Sequence, residues 1–113
     1  VMVTPSYEDE PAYNMIIAAI ETYSDKITLS SEIYQLGAEA YQKEIDYTPY
    51  PEIIDMYKSY HKMAAWYWLA KNKLKAIEAE QEAIIALKSK TEFSKTTLTE
   101  YESALQKYRK DNN

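Results

Sequence analysis

The chain has 113 residues, a net charge of −5, no cysteine and a single glycine, Gly37. That length supports one domain with a real core, but so little Gly and Pro supplies few turns, which favours an all-α fold over an all-β one. Disulfides and thiolate metal sites are excluded, and no run of about 18 apolar residues is present to serve as a transmembrane segment.

Val1–Glu10 is aperiodic and acidic and reads as a tail (1–10) ahead of a single helical domain over 11–110. Either Ser6 with Asp9 as a capping box, or Glu10–Pro11, opens the first helix. Tyr13, Ile16, Ile17, Ile20 and Tyr23 then follow helical spacing. Ser24–Ser31 mixes poor helix formers with cap residues, and a second helix follows over Glu32–Ile45. One bent helix from Ala12 to Ile45 is the competing reading. Tyr47-Thr48-Pro49-Tyr50-Pro51 ends this segment, because the residue before each Pro is pushed out of the α region.

Pro51 is placed to open the next helix, with Glu52 and Asp55 favourable to its dipole. A heptad stripe from Ile53 through Tyr60, Met63, Tyr67, Ala70 and Leu74 to Ile84 predicts a helix over about 51–88, roughly 57 Å long. Ser89 to Thr97 reads as a turn around Phe93. A last helix carries Leu98, Tyr101, Leu105 and Tyr108, capped by Thr97 with Glu100 or by Thr99 with Glu102. The expected architecture is a four-helix bundle with one long central helix.

Met63-Ala64-Ala65-Trp66-Tyr67-Trp68-Leu69-Ala70 is apolar around the whole helix circumference. A helix apolar on all sides is normally surrounded by protein or lipid. Three shorter helices cover only part of a long one, so the run points to self-association. Tyr60, Trp66, Tyr67 and Trp68 are the expected contact anchors, since buried aromatics dominate interface energy. Charge is also divided. Residues 1–55 hold eleven acidic and two basic groups, and residues 56–113 hold seven acidic and eleven basic ones. The halves attract each other within one molecule or between neighbours.

Little in the sequence suggests chemistry. His61 is the only histidine. Lys58, not Glu, precedes it by three, so the Glu-x-x-His of bundle di-iron sites is missing. It reads as a partly buried or surface histidine. Glu78, Glu80 and Glu82 alternate around their helix and read as a solvated face. No cofactor or metal is expected. Lys58, Lys62, Lys71, Lys73 and Lys75 alternate with aromatics, a pattern suited to nucleic-acid contact. The acidic net charge and the absence of Arg there favour protein–protein packing instead. Ile33-x-x-Leu36-Gly37-x-x-Ala40 resembles the start of a tetratricopeptide repeat, but nothing similar recurs one period later.

The composition, rich in Tyr, Ile, Lys and Glu and lacking Cys, leans toward a hot habitat. With Tyr34…Tyr41, Tyr57-Lys58-Ser59-Tyr60 and Met63–Ala70, the chain resembles the small helical virion proteins of viruses infecting hyperthermophilic crenarchaea, such as the Acidianus two-tailed virus. The resemblance implies a particle component without enzymatic activity, located in the virion, and carries over no functional residue. Outside that setting a cytoplasmic location is expected, since no secretory signal is visible. The expected function is therefore structural: a homo-oligomer, or a partner of other virion proteins. A nucleic-acid-binding module and a helical adaptor for one protein partner are the alternatives.

Overall fold

The computed structural model describes residues 5–47 and 55–111, with side chains from Tyr13 onward. Among these, all regular structure is helical: α1 (Pro5–Ser24), α2 (Ser31–Asp46), α3 (Met56–Leu69), α4 (Lys73–Lys88) and α5 (Lys95–Lys110). The first two helices are separate, divided at the Ser-rich stretch as expected. α1 begins at Pro5, inside the stretch read as a tail. The Tyr47–Pro51 break and the opening of the third helix at Pro51 lie largely outside the described residues.

The expected long helix over 51–88 is instead two helices folded back on each other, so the described residues form five helices and not four. α3 ends at Ala70, and Lys71 turns the chain with φ 66°. The amide of Asn72 donates to the Tyr67 carbonyl at 2.9 Å, and that of Lys71 to the Trp68 carbonyl at 3.0 Å. These two bonds form a Schellman motif, which usually has glycine where Lys71 stands. Asn72 then caps α4: its side chain accepts from the Lys75 amide at 3.3 Å. α5 starts similarly, with Ser94 accepting from the Thr97 amide at 3.2 Å. The cap is therefore Ser94, ahead of both expected candidates, Thr97 and Thr99.

Each helix packs chiefly on its neighbours in sequence, giving an up-and-down meander. α3 is its hub. Lys62 pairs with Glu21 of α1 at 3.7 Å. Trp66 packs beside Tyr41 of α2, ring centroids 5.0 Å apart. Tyr57, His61 and Trp68 pack their rings on α5 against Tyr101 and Tyr108, with His61 stacked and the other two tilted. α3 touches all four other helices, which accounts for most of its all-round apolar sequence, while Lys58, Lys62 and Leu69 share the side left to solvent. Gly37 of α2 permits the closest approach. A Cβ there would sit 2.6 Å from the Trp66 ring and 2.8 Å from Ile20.

Candidate functional site

The four expected interface anchors turn inward. Trp66 is 5 % exposed, and Tyr67 is equally buried. Tyr60 is half-buried between the two parts of the core. Trp68 is half-buried, its ring 5.0 Å from that of Tyr108. Trp66 and Tyr67 thus have no surface left for a second protein molecule. Trp66 is covered by α1 and α2 around Ile20, Gly37 and Tyr41, whereas the turn at Lys71 brings α4 beside Tyr67 and α5 onto Trp68.

The five lysines do not form one face either. Lys62 reaches α1 at Glu21. Lys58 pairs with Asp55 at 3.4 Å. Lys73 donates to the Asp111 carbonyl at the end of α5, at 2.9 Å. Lys75 lies 3.7 Å from Glu78, and Lys71 occupies the turn. Such scattering is the opposite of the continuous cationic track that a nucleic-acid backbone requires.

One polar pair was not anticipated. Glu80 of α4, expected on a solvated face, is fully buried at 0 % exposure. The Nδ1–H of His61 donates to both of its carboxylate oxygens at 2.9 Å. The His61 ring lies flat on Tyr101 of α5, with centroids 3.9 Å apart and planes 11° from parallel. A single histidine therefore joins α3, α4 and α5. Burial pushes the Glu80 carboxyl above its usual range, and the hydrogen bond from His61 opposes that rise. A comparable polar tie holds α1 and α2 to α3. The Tyr41 hydroxyl donates to Glu21 at 2.8 Å, and Lys62 approaches the other oxygen of the same carboxylate.

Both carboxylate oxygens of Glu80 share the one N–H of His61. No three His, Cys, Asp or Glu side chains converge as a metal site among the described residues. The groove of about 240 Å³ between α2 and α4 is floored by Tyr60, Met63 and Tyr67, with exposed Glu78 and Glu82 at its rim. His61 does not line it. No helix among the described residues is long and apolar enough to cross a membrane.

What remains is surface. The described part of α1 exposes Asn14, Met15, Ala18, Ala19, Thr22 and Tyr23, none of them charged. Met15 is 72 % exposed and Tyr23 57 %. The Thr22 hydroxyl bonds back to the Ala18 carbonyl at 2.9 Å. That satisfies the only hydroxyl within the stripe Met15, Ala18, Ala19, Thr22. Every other helix carries charged groups among its exposed residues. At the opposite edge of the meander, α5 presents Lys95, Thr96, Thr99, Glu100 and Ser103, a polar outer face. Comparison of the chain with protein-family models, with curated proteins and with solved structures finds no match.

Proposed function

We propose that this chain is a non-enzymatic structural protein that acts by self-association. The observation that carries the proposal is the uncharged outer face of α1. An exposed apolar stripe on a monomer marks an interaction site, and α1 carries one while its inner residues Ile17 and Ile20 already fill the core. A helix apolar on two opposite sides is built to be covered on both. The polar outer face of α5 closes the other edge of the meander, as terminal helices of stacked helical proteins do. A particle component of the kind the sequence style resembles would use such a contact.

Sedimentation velocity over a range of protein concentrations tests the proposal. The weight-average sedimentation coefficient should rise with concentration and persist in high salt, as apolar contacts do. A constant monomer value at every concentration would overturn it and favour an adaptor for a different partner. Association that collapses as salt is added would point instead to the divided charge of the two halves.

A further inference from the structure

We propose that the groove between α2 and α4 binds an aliphatic polyamine, stretched along α3 with one terminal ammonium at Tyr67 and the other at Tyr60. The site is separate from the outer face of α1 and does not depend on self-association. Tyr67 is only 5 % exposed, yet its hydroxyl makes no hydrogen bond to any described residue. A phenol buried that deeply costs stability unless its oxygen reaches water or a ligand. No fully covered side-chain oxygen lacks a partner among the described residues. The Tyr67 oxygen therefore meets open space, and the space that Tyr67 lines is the groove. Tyr60 lines it too, seven residues earlier on the same face of α3, and its hydroxyl likewise has no partner among the described residues. That spacing puts the two phenols about 10 Å apart along the helix. Met63 lies between them, and Ala79 of α4 joins it in an apolar floor.

Charge selects the occupant. Burial, then the charges of Glu39 and Glu78, push the Tyr67 hydroxyl up; burial, then Glu82 and Asp46, do the same to Tyr60. Each phenol thus has one carboxylate from α2 and one from α4 near it, and all four are exposed. Lys75 is the one basic side chain lining the groove, 3.7 Å from Glu78. It offsets one of the four negative charges, and an exposed pair of that kind is readily exchanged. Lys43 of α2 is exposed and lines no part of the groove. Between Glu39 and Asp46, Gln42 donates its amide N–H to Asp46 at 2.8 Å, leaving its carbonyl oxygen as an acceptor on the groove wall. The acids do not converge as a metal site among the described residues. Acid at both ends, apolar contact between them and an amide acceptor midway match two terminal ammonium groups, a methylene chain and an inner amine.

Titration calorimetry of the full chain at constant ionic strength tests the site with three probes. Spermidine has an extended chain that spans the two phenols. Putrescine is too short to reach both, and cobalt hexammine carries the charge of spermidine without a chain. Spermidine should bind one to one and at least about tenfold more tightly than either, because it alone engages both ends at once. Tyr67→Phe removes only an oxygen that has no protein partner, so the unliganded chain should melt at the same temperature or higher. Its affinity for spermidine should fall about tenfold, since a hydrogen bond to a charged group is lost. Glu78→Gln combined with Glu82→Gln, both at exposed positions, should weaken binding by at least about tenfold and leave helicity unchanged. Spermidine binding no tighter than cobalt hexammine would show a response to net charge alone and overturn the site. Unchanged affinity in Tyr67→Phe, or no binding at all, would overturn it equally, and none of these results bears on the sedimentation test of self-association.

Discussion

Gly37 and Trp66 illustrate how closely the core is built at the residue scale. Alanine at position 37 would gain about 1 kcal/mol of helix propensity. Its Cβ would also lie within 3 Å of the rigid Trp66 ring and of Ile20, and overpacking of that kind costs about 1–3 kcal/mol. The clash is the larger effect, so Gly37→Ala should lower the urea midpoint. A raised midpoint would show that the α2–α3 contact is looser than the geometry indicates. The His61–Glu80 pair makes a second, pH-dependent prediction. Removing one partner of a buried pair typically costs about 3–5 kcal/mol, because the other charge is left without compensation. His61→Ala should therefore be strongly destabilising at pH 7. Folding raises the Glu80 carboxyl above its ordinary value of about 4.3, so the folded state holds that proton more tightly than the unfolded one. Its contribution is fully present below about 4.3 and is lost as pH rises through the folded value. Deleting His61 removes the one effect that opposes this rise, so the loss should be smaller at pH 4 than at pH 7. Equal losses at the two pH values would show that Glu80 does not bury a charge.

At the scale of elements, the turn at Lys71 decides the fold, and it also explains what the sequence concealed. Lys71 pays the penalty of a left-handed conformation, about 1–2 kcal/mol for a residue with a Cβ. Lys71→Gly should relieve most of that and raise the melting temperature, whereas Asn72→Ala should cost about 1 kcal/mol through the lost cap. A neutral result for both, read by thermal melts, would mean that packing alone sets the turn. Neither Gly nor Pro marks this turn, and the apolar stripe runs through it in phase from Tyr67 and Ala70 to Leu74, so periodicity alone extends one helix to Lys88. One signal was present: Asn72 is the only Ser, Thr, Asp or Asn between residues 60 and 88. Placing a turn there sets His61, ten residues before Lys71, opposite Glu80, nine after it, so the polar pair follows from the same missed cue. By contrast, α2 was legible to within a residue at each end, because Ser-rich and Pro-rich segments flank it. The outer face of α1 was harder to read. Its inner residues show helical spacing, but which remaining face stays uncovered depends on how many helices surround α3.

The described helices form a meander in which α3 touches all the others and α5 is held at one edge by aromatic contacts rather than by a broad aliphatic face. Tyr101 and Tyr108 are the buried residues of α5; Tyr101 stacks on His61 of α3 and Tyr108 packs at a tilt against Trp68. Burial, followed by the charge of Glu80, pushes each of their hydroxyls up to about 12. The ordinary value is about 10, so these groups are protonated more firmly in the folded chain than in the unfolded one. Their stabilising contribution is complete below about pH 10 and is lost as pH rises through about 12. Ionisation of either ring would place a second negative charge near the buried carboxylate of Glu80. The edge helix should come away as those protons leave. Alkaline titration should therefore show tyrosinate absorbance at 295 nm and loss of helical circular dichroism moving together between about pH 10 and 12. Glu80→Gln removes the repelling charge and should shift the loss of helix to higher pH. If the absorbance of all the tyrosines rises around pH 10 while the helical signal is unchanged, α5 does not depend on neutral Tyr101 and Tyr108, and the aliphatic contacts of Leu98 and Ala104 hold it instead.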